Sequence, residues 1–262
     1  MTDLNPIFVF GASLVLVGVA VGVSAYLRLG FEKAIIWASV RAAIQLLVVG
    51  ALLAFVLSSS LDRYLAPVWI ITMVGIAAFV TSRRAKSRKV LPAAALSIGG
   101  STLVSLLVVF GFGVLPAEPI QLIVVAGITI GNALPATVVA ADQVTRKMTD
   151  DRMQVEGLLS LGFSSKQAAH YVVRESTRVA LLPQIERTKI VGLVALPGAM
   201  TGLLIAGVDP IDAVIIQLVV MYLVLGTVAI SSTVVAVVTA AQSFTPDQRL
   251  KPADESQFAA PS

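Results

Sequence analysis

Four polar positions inside long apolar runs are where this chain could do chemistry. Arg41 and Gln45 are four residues apart and share one face of a helix. Asn132 follows Gly131 and stands three residues before Pro135, and Gln217 lies early in the last apolar run. Pro135 cannot donate a backbone hydrogen bond, so a helix through it leaves the carbonyl near residue 131 free. That carbonyl and the Asn132 amide are oxygen ligands of the kind a hard cation takes. Pro197-Gly198-Ala199-Met200-Thr201-Gly202 is a second break, and its Met200 thioether suits a softer metal or simply packs. Broken helices near mid-membrane are a device of transport sites, because they turn backbone groups toward a solute. Each position also has a structural role open to it. Arg41 can snorkel to headgroups, while Asn132 and Gln217 can tie helices together by hydrogen bonds.

Other chemistries are excluded by what the chain lacks. It has no cysteine and a single histidine, His170, so it can build neither a thiolate site nor a cluster of imidazoles. The identity of any metal is therefore not specified by its ligands. No G-x-x-x-x-G-K-[ST] phosphate loop occurs. The chain is not expected to be an enzyme, and an ATP-driven step would need an ATPase on another chain.

The elements that must hold these residues are membrane helices. Of 262 residues, 57% are hydrophobic and 13% charged, where a soluble domain carries about 25% charged residues. About 20 apolar residues cross about 30 Å of hydrocarbon, and no backbone group can stay unpaired there. The sequence thus predicts an all-α, polytopic membrane bundle of about seven transmembrane helices: 7–27, 35–57, 66–81, 91–111, 120–141, 190–207 and 211–240. A soluble enzyme and a nucleic-acid-binding domain are excluded, despite a pI of 9.6. Residues 1–6 carry Asp3 and no Lys or Arg, so the first run is expected to be a span and not a secretory signal.

Of the 19 Lys and Arg, 17 fall in the alternate connections 28–33, 82–89, 142–189 and 241–262. The opposite set holds only Arg63, and Arg41 lies within the second span. Positive charge stays on the cytoplasmic side, which puts the N-terminus outside and the C-terminus inside. Residues 1–242 are read as one transmembrane domain with a cytoplasmic segment at 142–189. Residues 243–262, with Pro246, Pro252 and Pro261, are read as a flexible cytoplasmic tail.

Segment 142–189 has the pattern of a docking element. Residues 150–161 read as a short helix, with Asp150 and Asp151 at its positive end and Gly162 as its stop. Ser164-x-x-Gln167 is a capping box that starts a second helix. There Ala169, Val172, Val173, Val179, Ala180 and Leu182 recur near a 3.6-residue period, and Pro183 kinks or ends the helix. Two readings are open: an amphipathic helix lying on anionic lipid, and a coupling helix that inserts into a partner ATPase. Glu156-Gly157-Leu158 followed by Gly162 fits the start of the E-A-A-x-x-x-G loop typical of ABC importer permeases, where glycine permits a sharp turn. Glu156, Gly157, Gly162 and Phe163 are the coupling candidates.

Arg41-Ala-Ala-Ile-Gln45-Leu-Leu-Val-Val-Gly50, the Gly131-Asn132 pair, and Gly192-Leu-Val-Ala-Leu-Pro197-Gly198-Ala-Met200-Thr201-Gly202 with Ala206-Gly207-Val-Asp209-Pro210 resemble one family. It is the iron-export permease family of bacterial ABC transporters, which includes plant aluminium-tolerance relatives. The resemblance runs over about residues 7–242, and the block from Pro197 to Pro210 is its specific part. It implies a permease subunit in a bacterial inner or plasma membrane that exports a metal cation such as iron. It also implies a homodimer beside a cytoplasmic ATPase that binds ATP and magnesium, with no cofactor in this chain. Leu134 and Leu203 stand where typical members carry methionine and glutamine, which makes a site here less polar and less sulfur-rich. An ion-driven secondary transporter normally needs an intramembrane carboxylate, and the acids here fall in connections or at span ends. A non-transporting scaffold would leave the polar span positions with no passage role.

Overall fold

The structure, a computed structural model, describes residues 6–58, 61–85, 87, 89–193 and 196–251, without the side chains of 6–10. Asp3, Lys86, Arg88, Val194, Ala195 and the tail residues 252–262 lie outside the described residues. The described residues are helical throughout their regular elements, in keeping with the expected all-α membrane bundle. Five helices are long and apolar enough to cross a membrane, and a shorter apolar helix covers Gly11–Tyr26. The chain is a multi-pass membrane protein. It divides into two compact units, Met1–Asp62 and Arg63–Ser262, which are described in turn.

The first unit is a hairpin of α1 (Pro6–Tyr26) and α2 (Glu32–Ser58). The turn between them takes Arg28 to φ 52° and Gly30 to φ 74°. Ser24 is buried under it, where its hydroxyl donates to Glu32 Oε1 at 2.8 Å and accepts from the Phe31 N–H at 3.2 Å. Polar groups at a tight turn are thereby satisfied without water. Within this hairpin, α2 is apolar along its length, with a mean window hydropathy of 2.3.

The second unit holds α3 (Asp62–Arg84, from its second residue), α4 (Val90–Gly111), α5 (Pro119–Asp150), α6 (Arg152–Ser160), α7 (Ser165–Ala168), α8 (His170–Ile190), α9 (Gly198–Ile205) and α10 (Pro210–Gln242). Helix α10 packs on α4, α5 and α8, and α5 packs on α4 and α8. Their shared core is made of small side chains: Ala93 and Ala94, Ala136, Ala140, Ala141 and Val144, Val172 and Ala180, and Val228, Val235 and Ala236. Lipid is as apolar as leucine, so membrane helices associate by close backbone approach over small residues. The buried hydroxyls are mostly satisfied within their own helix, as Thr137 Oγ1 donating to the Ala133 carbonyl at 2.8 Å and Ser232 Oγ to that of Val228 at 2.7 Å.

Four expectations change. The third span is α3, longer than 66–81 at both ends. The sixth expected span, 190–207, is not one helix: α8 ends at Ile190, Gly192 turns at φ 87°, Pro197 is extended, and α9 has eight residues. At 1.5 Å per residue α9 is about 12 Å long and cannot cross the hydrocarbon alone. Pro197 lacks the N–H that an incoming helix needs and Gly192 favours the left-handed turn, which is why the segment breaks. Pro183 does not end the second docking helix, which runs on to Ile190. Residues 243–251 of the expected tail fold back, with Phe244 buried in the core and bridged to Leu250.

Candidate functional site

Helix α5 has 32 residues and no charged side chain before Asp142. Asn132 lies thirteen residues from its start, about 20 Å along the axis and so near mid-depth. Its Nδ2 donates to the Ile128 carbonyl at 2.8 Å. Gln217 is seven residues into α10, about 10 Å from the start. It is buried, and its Oε1 has no hydrogen-bond partner among the described residues.

These two amides meet Pro197 at one cavity of about 260 Å³, also lined by Gln184, Arg187 and Met221. A second cavity of about 290 Å³ is lined by Gly131, Asn132, Pro135, Pro183, Gln184 and Arg187. The two share Asn132, Gln184 and Arg187. Pro135 and Pro197 therefore open onto one polar region, but only Pro197 marks a break: α5 runs unbroken through Pro135, against expectation. Gly198, Met200, Thr201 and Gly202 line neither cavity; the Thr201 hydroxyl donates to the Pro197 carbonyl at 3.1 Å and so braces the break. Arg41 and Gln45 belong to the first unit, on α2, and both are exposed there.

Gln184 and Arg187 were not among the expected site residues. Their positions fall in the stretch read as cytoplasmic, because a dense run of charge marks a connection. In the structure Ala180 lines a cavity with Ala136 and Val139, while Gln184 and Arg187 line it with Gly131 and Asn132. Helix α8 thus runs antiparallel to α5 and carries its last turns to the depth of Asn132. The available signal was the spacing: Gln184 and Arg187 are three apart, on one helix face, just after a proline. Glu186 is at the same level, exposed, and holds Lys189 Nζ at 2.8 Å.

The docking candidates lie at the far end of α5. Helix α6 is stopped by Gly162 at φ 89°. The capping box forms as expected: Gln167 N–H donates to Ser164 Oγ at 3.4 Å, and Gln167 Oε1 accepts from the Ser164 N–H at 2.9 Å. Glu156, Gly162 and Phe163 line a wide cavity of about 700 Å³ with Asp247, Arg249 and Leu250. The folded-back turn is tied to this end by Arg152 donating to the Lys251 carbonyl at 3.1 Å, and by Gln248 Oε1 accepting from the Ser165 N–H at 3.2 Å. Glu156 is paired with Arg152 at 2.7 Å, and Gly157 is exposed. Met153 (87% exposed), Leu161 (77%) and Phe163 (45%) leave apolar surface uncovered outside the apolar spans. Nearby, burial and the Asp151 carboxylate push the Tyr171 phenol above its ordinary value.

Comparison with known proteins agrees with the sequence motifs. Residues 7–244 match the model of an uncharacterised protein family, UPF0014. The chain belongs to the UPF0014 family. Among the relatives of this UPF0014 chain is the probable iron export permease protein FetB of Escherichia coli (strain K12), 33% identical over 87% of this chain and 88% of its own length. The UPF0014 membrane protein STAR2 of Oryza sativa subsp. japonica is 36% identical over 84% of this chain and 78% of its own. Protein ALUMINUM SENSITIVE 3 of Arabidopsis thaliana is 32% identical over 84% and 81%. The iron-export and aluminium-related resemblance carried by the motifs is thus borne out at the level of family. No solved structure matches the chain.

Proposed function

We propose that this chain is the permease subunit of an ABC transporter in a bacterial inner or plasma membrane, exporting a metal such as iron. The observation that carries this reading is the break marked by Gly192 and the extended Pro197, with Pro197 lining one cavity beside Asn132 and Gln217. A continuous span would bury its own backbone groups, whereas a broken one can present them to a solute and switch their side of access. The name of the Escherichia coli relative supports iron as the metal. ATP is hydrolysed on a separate cytoplasmic subunit with magnesium, and two copies of this chain form the path. Opening and closing of the ATPase moves the Glu156–Phe163 turn, whose exposed Leu161 and Phe163 give the partner apolar surface to grip. The basic ends of α3 and α5 face the cytoplasm, and the N-terminus lies outside.

Co-expression with candidate ATPases tests this. The expected result is a stable complex whose ATP hydrolysis depends on this chain and rises with metal. Stable, transport-active chain with no nucleotide-binding partner would sink the coupling claim. One observation favours a second reading. Glu186 places a carboxylate at the depth of Asn132, which is what a proton-coupled secondary transporter requires. Proton-dependent flux in vesicles without ATP would select it.

A further inference from the structure

The geometry points to a cargo that carries oxyanion groups: given the metal-permease reading, on which this inference rests, the metal crosses as an anionic carboxylate chelate held by Arg187. The two adjoining cavities are lined by one charged side chain, Arg187, and by no Asp or Glu. Arg187 has no ion-pair partner among the described residues, and Glu186 is taken by Lys189 at 2.8 Å. The last turn of α8, with Glu186, Arg187 and Lys189, therefore carries one net positive charge. The helices packed against it offer nothing to cancel that charge: α5 is uncharged from residue 119 to 141 and α10 from 213 to 242. Among the described residues no group of three or more His, Asp or Glu could hold a metal ion.

A bare hard cation needs several oxygen ligands, carboxylates among them, to replace its water. Here it would meet the Arg187 guanidinium, on a residue that lines both cavities and is otherwise exposed. A carboxylate has the opposite preference, because the planar guanidinium fork binds it through two parallel hydrogen bonds. The remaining polar groups complete the pattern. Gln217 Oε1 is a buried acceptor without a donor, and one of the two Asn132 amide N–H groups is committed to Ile128. One cation beside amide acceptors fits a hydroxycarboxylate, its carboxylate on Arg187 and its hydroxyl donating to an amide oxygen. A metal chelated by such acids keeps its ligands, so the chain need not supply them.

The test is binding by the full chain in lipid nanodiscs, with iron(III) citrate and with iron(II) alone as probes. Wild-type chain is expected to bind the citrate complex in preference to iron(II). Arg187→Gln should weaken that binding at least tenfold, and Arg187→Lys, which keeps the charge but loses the fork, should weaken it less than Arg187→Gln does. Melting temperatures of both variants report whether they fold, and the wild-type preference decides the question without them. Preference for iron(II), or citrate-complex binding unchanged in a folded Arg187→Gln, overturns the chelate and leaves the metal-permease reading standing. Binding of neither form of iron overturns both.

Discussion

The hydroxyls of Ser105 on α4 and Thr227 on α10 meet at 2.6 Å, 122 residues apart in sequence and buried in the second unit. Each is also held by its own helix, Ser105 through the Ser101 carbonyl at 2.9 Å and Thr227 through that of Leu223 at 2.7 Å. A hydroxyl has one hydrogen to give, so the contact is one member of a short chain of shared hydrogen bonds. Removing either partner leaves the other with its local carbonyl. We expect a double-mutant coupling of about 0.6 kcal/mol between Ser105→Ala and Thr227→Val, and none larger than about 1.7 kcal/mol. Thermal unfolding in detergent checks this, and strictly additive losses would show that the pair contributes nothing of its own.

Asn132→Leu and Gln217→Leu remove the two amides that line the cavity beside Pro197. Both are near-isosteric, and Gln217 has no partner to lose among the described residues. Folding and expression should be unaffected while transport falls about tenfold or more, equivalent to about 1.4 kcal/mol. Metal retained by a deletion strain carrying each variant is the measurement. Full complementation by both would remove the cavity from the path.

Phe163→Ala tests the docking turn. The side chain is 45% exposed, so its loss should lower the melting temperature without preventing folding. If it is an anchor for the partner ATPase, truncation costs about 2 kcal/mol, roughly thirtyfold in affinity. Co-purification with the ATPase should then fail in a folded chain. An unchanged complex would favour the lipid-lying alternative for this segment.

Gly162→Ala probes the same turn through the backbone. Gly162 sits at φ 89° with nothing within 4 Å of the position a Cβ would take, so any effect comes from conformation alone. A left-handed residue with a side chain costs about 1 kcal/mol. We expect a small loss of stability and a larger loss of ATPase stimulation, because the turn must keep its shape when loaded. Limited proteolysis around residue 162, compared with stimulated hydrolysis, separates the two effects.

Much of this architecture is legible in the residues themselves. Apolar runs of about 20 residues report spans, because a membrane demands that each segment satisfy its own backbone. The Ser164–Gln167 box and the Gly162 stop report helix ends, because both are settled within a few residues of chain. The UPF0014 motifs around Asn132 and Pro197 likewise mark the positions that come to line a cavity. What the sequence could not decide is which faces meet. Charge alone assigns Gln184–Lys189 to water, yet α8 lays its Val172, Ser176 and Ala180 stripe against the small residues of α5 and α10 and carries Arg187 to the depth of Asn132. A charged side chain is tolerated at that depth where it pairs or faces a cavity, and the cavity lined by Arg187 exists only once α5, α8 and α10 are packed. Ser105 finding Thr227 is decided in the same way. Local hydrogen bonding fixes each helix from its own residues, while close packing between distant segments fixes the site.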